Sequence, residues 1–174
     1  MAIKFLAEKL IRNIPDFPRV GDFSKDITPV FLDPAAYQEV IQKMSLEAKN
    51  QGAEALVGIE SGGFLMAAPI ALNLRLPLIV ARKLSKIPGE KLSEEYATRQ
   101  GTNTIEIHRD AIRAGQRIYV VDDLLATGAT AAATARIIEC LNGKVSGFGF
   151  FIELTHLHGR MNLLRYPINS LIEY

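Results

Sequence analysis

Residues 120–130, VVDDLLATGAT, limit what this chain can fold into more than any other stretch. Residues 117–121 form a short apolar run that reads as a buried strand, and Asp122 and Asp123 place two carboxylates at its end. Small residues then lead into a helical pattern over residues 129–141, which Asn142-Gly143 stops. In open α/β sheets, ligands sit outside the carboxyl ends of the strands. Here the turn Ala126, Thr127, Gly128, Ala129 and Thr130 occupies that position. Its small side chains let a ligand approach the backbone closely. Successive N–H groups at a helix start make an anion nest, to which the Thr127 and Thr130 hydroxyls add donors. Each hydrogen bond to a charged phosphate oxygen is worth about 1.5–3 kcal/mol. Two adjacent acids would repel a bare phosphate. A phosphorylated sugar uses both features, because the nest takes the phosphate while the acids accept from vicinal hydroxyls. No Lys follows the glycine as in a Walker loop, and the dinucleotide fingerprint G-x-G-x-x-G is not matched.

Strand and helix patterns alternate along the rest of the chain. Residues 55–59 read as a buried strand that breaks at Glu60-Ser61-Gly62-Gly63 into a helix reaching Leu72. Further strands are expected at 77–81, 104–108, 145–154 and 170–174, the last after a short helix at 159–165. Asp33 is placed to cap, and Pro34 to start, a helix whose apolar face is Tyr37, Val40, Ile41, Met44 and Ala48. Glu39 and Lys43 form a favourable pair one turn apart on it, and Gly52 follows its end. Ile3, Leu6, Leu10 and Ile14 predict a short amphipathic helix over 3–13, followed by irregular chain punctuated by Pro15, Pro18, Gly21 and Pro29. Residues 83–103 combine weak periodicity, many charges and two glycines, the pattern of a lid or binding loop. The alternation as a whole predicts an α/β fold with a mostly parallel twisted sheet flanked by helices.

The 174 residues fit one domain with a single sizeable core. Twenty basic side chains against nineteen acidic ones leave no basic footprint for nucleic acid, and no apolar run approaches the ~20 residues that span a bilayer. No secretory leader pattern is expected at the N-terminus. The lone Cys140 rules out a disulfide within the chain, suits a reducing cytoplasm and is expected to be a small buried hydrophobe. His108, His156 and His158 lack metal-ligand spacing and are expected at surface or packing positions.

VVDDLLATGAT resembles the binding motif for phosphoribosyl pyrophosphate (PRPP) of the type I phosphoribosyltransferases. FPRVGDFSKDIT, VGIESGGF, RKLSKIPGE, IEIHRDAI and FIELTHLHGR extend the likeness over nearly the whole chain and are similar to the adenine-transferring branch. The resemblance implies the type I phosphoribosyltransferase fold as a single domain. Residues 1–33 would form a small N-terminal hood over the base site, and residues 34–174 a core with a flexible loop at 84–103. It implies transfer of the ribose 5-phosphate of PRPP to adenine, giving AMP and pyrophosphate in purine salvage. Mg²⁺ would be bound with PRPP and pyrophosphate, and the enzyme would be a cytoplasmic homodimer. Asp122 and Asp123 would hold the ribose hydroxyls and Ala126 to Thr130 the 5′-phosphate. Ser61 and Gly62, in the loop from Glu60 to Gly63, would meet the pyrophosphate together with Arg82, Lys83 and Lys86. Asp122, Asp123, Arg82 and Lys83 form the implied catalytic set.

The chain departs from the family pattern at the base end. Asp22, Phe23, Ser24 and Lys25 stand in the base-recognition segment, with Ser24 where the family carries an aromatic residue that stacks on adenine. In the closing loop, where Glu95 and Tyr96 are candidates, Arg99 replaces the family's glutamate and cannot act as a base. Gly62 stands where the family usually has an Arg. These departures leave open a 6-oxopurine such as hypoxanthine or guanine, with Lys25 donating to a ring carbonyl. They also leave open a protein that senses PRPP or a nucleotide without turnover.

Overall fold

A computed structural model describes residues 5–16, 23–98 and 101–174. They fall into two compact units, Met1–Lys43 and Met44–Tyr174.

In the N-terminal unit, β1 (Arg12–Pro15) and β2 (Phe23–Asp26) pair antiparallel, with Asn13 opposite Lys25. The helix α1 (Thr28–Leu32) follows, and Asp26 Oδ1 accepts from the Thr28 amide at 2.9 Å. These elements correct two expectations. The helix expected over 3–13 is one 3-10 turn at Ala7–Lys9, and the chain then extends into β1. So short a helix is marginal without packing, and Leu6 on its expected apolar face is 47% exposed. The stretch expected to be irregular contains β2 and α1, which its prolines concealed. The helix α2 (Pro34–Asn50) begins as read: Asp33 Oδ1 accepts from the Ala35 and Ala36 amides at 3.0 Å each. Glu39 and Lys43 pair at 3.7 Å.

The C-terminal unit is built on a seven-stranded sheet in the order β5-β6-β4-β3-β7-β8-β9. Its strands are β3 (Ala55–Ile59), β4 (Leu78–Lys83), β5 (Lys91–Thr98), β6 (Gly101–His108), β7 (Arg117–Leu125), β8 (Lys144–Glu153) and β9 (Ile168–Glu173). The neighbours from β4 through β9 pair parallel, and the β5–β6 hairpin joins β4 antiparallel. All five residues of β3 are buried, as a central strand covered on both faces requires. The helix α3 (Gly62–Leu74) lies on one face, where Gly58 leaves room for Ala67. The helix α4 (Ala129–Cys140) lies on the other, its Ala133, Ile137 and Ile138 packed in one core with Val57, Ile59, Val120 and Phe148. Tyr119 is buried against β8, and a Cβ at Gly149 would stand 2.8 Å from its ring and hydroxyl. Glycine there makes space for the aromatic ring.

Two further expectations are corrected. The loop expected at 84–103 is largely the regular hairpin of β5 and β6, paired from Lys91↔His108 to Thr98↔Gly101. Cys140 is exposed, not buried. It shares the outer face of α4 with Arg136, four residues earlier, and Glu139 beside it, while Ile137 and Ile138 face the core.

Candidate active site

The strand β7 runs beyond its apolar part and carries Asp122 and Asp123 to the end of the sheet, where the chain turns through Ala126 to Gly128 into α4. Gly128 has φ +74°, a conformation that favours glycine. A small hollow of about 70 Å³ is lined by Asp122, the turn from Ala126 to Thr130, and Phe150. The first amides of α4 have no partner within the helix and carry its positive dipole end. The structure thus brings Asp122 and the turn from Ala126 to Thr130 together around one hollow.

The loop after β3 packs against the two acids. Asp122 Oδ1 accepts from the Asp123 amide at 3.0 Å. A side chain at Gly62 would overlap the Asp123 carboxylate, and a Cβ at Gly63 would lie 2.6 Å from the Val121 carbonyl oxygen. The absence of an arginine at position 62 therefore has a local physical counterpart, since Asp123 occupies the space such a side chain would leave through. Burial pushes the Asp122 carboxyl well above the usual carboxylate range, and the neighbouring Asp123 charge adds to the rise.

Glu60 gathers the basic segment at the end of β4. Its carboxylate accepts from the Lys83 amide at 2.9 Å and from Lys86 Nζ, and Arg82 Nε lies 3.6 Å away. Burial alone raises the Glu60 pKa. The Lys86 and Lys83 hydrogen bonds and the Lys86 and Arg82 charges outweigh burial and hold the carboxyl below its ordinary value. At 3.6 Å the Arg82 contact is an ion pair and too long for a hydrogen bond, so its buried Nε keeps an unsatisfied donor. Ser61 is exposed at the start of α3. Among the described residues, no three His, Cys, Asp or Glu side chains converge as a metal cluster would.

In the N-terminal unit, Ser24 and Lys25 line a hollow of about 370 Å³ with Ile14, Asp26 and Ile27. Lys25 Nζ donates to Asn13 Oδ1 at 2.6 Å, and burial lowers the pKa of the lysine. Asp22, Arg99 and the side chain of Phe23 lie outside the described residues. On the hairpin, Tyr96 is 7% exposed and belongs to the core, while Glu95 is exposed and lines a wider hollow with Thr127 and Arg136.

Two contacts escaped the sequence reading. Glu106 of β6 is 1% exposed and accepts from the Ser85 amide (3.1 Å) and Ser93 Oγ (3.2 Å), with Lys91 Nζ at 3.3 Å. It ties the segment after β4 to the hairpin. The 3-10 turn Gly159–Asn162 lies against the turn that leads into α4, with Asn162 Nδ2 donating to the Thr127 carbonyl at 2.8 Å. No local pattern signals either contact, because each joins residues more than eight positions apart.

An open, mostly parallel sheet with paired acids and a glycine turn at the end of a central strand, and a basic segment at the end of β4 across the intervening β3, defines a phosphoribosyltransferase. The family model for the phosphoribosyl transferase domain matches residues 32–169. The adenine phosphoribosyltransferase of Roseiflexus sp. (strain RS-1) is 46% identical over 165 residues, covering 95% of this chain and 96% of the relative. The crystal structure of adenine phosphoribosyltransferase from Thermoanaerobacter pseudethanolicus superposes with a TM-score of 0.93 at 43% identity, covering 97% of this chain and 98% of that one. The Saccharomyces cerevisiae enzyme, crystallised with an imino-altritol bisphosphate and adenine, gives 0.91 at 32% identity, covering 95% and 96%. The chain belongs to the adenine phosphoribosyltransferase family.

Proposed function

We propose that this protein transfers the ribose 5-phosphate of PRPP to adenine, giving AMP and pyrophosphate. The observation that carries the reading is the end of β7, where Asp122 and the turn from Ala126 to Thr130 line one hollow at the start of α4. The anomeric carbon exchanges its bond to pyrophosphate for a bond to a purine ring nitrogen, which gives up its proton. The sugar acquires cationic character on the way, and catalysis is mainly positioning and electrostatic stabilisation.

The nest holds the 5′-phosphate, and Asp122 and Asp123 accept from the ribose hydroxyls. Arg82, Lys83 and Lys86 meet the departing pyrophosphate with Ser61 and Gly62, and the unsatisfied Arg82 Nε supports that role. Oxygen donors such as Asp122 and Asp123 suit Mg²⁺ held through water. When bound with PRPP, Mg²⁺ would neutralise charge on the pyrophosphate. In the N-terminal unit, the hollow of Ser24, Lys25 and Ile14 takes the base, with Phe23 and Asp22 beside it in sequence. The working form is a homodimer, supported by the half-exposed Leu65 and the 80% exposed Leu72 on α3.

Pyrophosphate release from PRPP and Mg²⁺ with adenine, hypoxanthine or guanine tests the proposal. Turnover with adenine is expected. Turnover with the oxopurines alone, or PRPP binding with no turnover on any base, would overturn it. Asp123→Asn should weaken PRPP binding at least tenfold, while Ser24→Phe should change the preference among bases more than the affinity for PRPP.

A further inference from the structure

The phosphate nest is not supported by its own helix alone. A side chain at Gly128 would overlap the Gly159 carbonyl oxygen, and one at Gly159 would overlap the Ala126 carbonyl oxygen. The two chain segments are in backbone contact, 31 residues apart in sequence. Asn162 Nδ2 adds its hydrogen bond to Thr127 O at 2.8 Å. The turn bearing Gly159 and Asn162 is anchored in its turn. Arg160 Nε donates to both Glu153 oxygens at 2.8 and 3.0 Å, and its Nη2 reaches Glu153 Oε2 at 2.6 Å and Glu173 at 3.1 Å. Glu153 is 3% exposed at the end of β8 and also accepts from Ser170 Oγ at 2.6 Å. A bidentate guanidinium–carboxylate pair fixes direction as well as distance.

We infer that the turn Gly159–Asn162, anchored by Arg160 on Glu153, positions the nest for the 5′-phosphate of the substrate, with Asn162 and Gly159 as its positioning residues. A nest binds phosphate well only if its amides already point at a common centre. The amide preceding Gly128 belongs to the peptide unit whose carbonyl Asn162 does not hold. Asn162 instead fixes the next unit, Thr127 C=O with Gly128 N–H, and so sets the direction of the Gly128 donor. The inference rests on the proposed function, because it takes a phosphorylated sugar as the ligand of the nest.

Asn162 is exposed, so Asn162→Ala removes the hydrogen bond without opening the core. Its KM for PRPP and its dissociation constant for ribose 5-phosphate should rise about fivefold. Its KM for adenine, its affinity for pyrophosphate and its thermal midpoint should stay at wild-type values. A role in stability alone would lower the midpoint and weaken all ligands together. Gly159→Ala pushes directly on the turn and should raise both phosphate-end constants by more than Asn162→Ala does. If it fails to fold, Asn162→Ala still decides. Wild-type affinity for ribose 5-phosphate and PRPP in Asn162→Ala would overturn the inference, with or without a folded Gly159→Ala. If the unaltered chain itself bound no PRPP, the functional reading would fall first and the positioning role with it.

Discussion

Asp122 and Asp123 stand next to each other with the glycines of the β3–α3 loop packed on them, and each has a different sensitivity. Burial and the Asp123 charge raise the Asp122 pKa, so the folded protein keeps a proton there that the unfolded chain has already released. Stability therefore falls as pH rises from the ordinary carboxylate range toward the folded value. Asparagine can accept the same amide hydrogen bonds and does not titrate. Asp122→Asn should raise the thermal midpoint, by more at pH 8 than at pH 5, while weakening PRPP binding at least tenfold. Melting curves at the two pH values with a parallel titration check both halves; a midpoint difference independent of pH would count against the raised pKa. Gly62→Ala drives a methyl group into the Asp123 carboxylate. It should raise KM for PRPP several-fold and leave KM for adenine close to its starting value, as initial rates will show.

The hairpin of β5 and β6 shows why elements differ in legibility. Leu92, Glu94, Tyr96 and Thr98 are the less exposed set along β5, and Ser93, Glu95 and Ala97 the exposed set. An acid at an inward position breaks the apolar alternation that would have marked the strand. Glu94 is accommodated there by Arg136 of α4, whose Nε lies 2.6 Å from its carboxylate. That partner is 42 residues away, so the strand could not be read locally. By contrast, β3 and the start of β7 were plain, because a strand covered on both faces is apolar throughout. The strand end, turn and helix start at 120–130 were legible for a related reason, since they fit within eleven consecutive residues. The turn at Gly159–Asn162 falls within the short helix expected over 159–165, but no local pattern ties it to the turn before α4. Both members of the Glu94–Arg136 pair are partly exposed, so Arg136→Ala should cost only about 0–1 kcal/mol of global stability. Amide exchange in residues 91–98 should nonetheless speed up relative to β3, and unchanged protection there would show that the pair does not hold the hairpin.

At the scale of the whole molecule, α3 is apolar on faces that the sheet does not cover. Met66, Ala67, Ile70 and Ala71 are buried, while Leu65 and Leu72 lie outward seven residues apart on the same side. A helix apolar all round is ordinarily covered on all sides. If the proposed homodimer buries this side, Leu65→Glu together with Leu72→Glu should shift the sedimentation coefficient from that of a dimer to that of a monomer while Met66 and Ile70 keep the helix on the sheet. A dimer that survives both changes would place the subunit contact elsewhere.

Cys140 ends α4 on its outer face and is the only sulfhydryl in the chain. A maleimide dye will therefore attach with one-to-one stoichiometry, at the opposite end of the helix from the turn at Gly128. The same accessibility lets two molecules cross-link through air oxidation, so material kept without a reducing agent will contain a covalent pair that mimics self-association by size. Mass measurements meant to count subunits need thiol reductant in the buffer, or a serine in place of this residue.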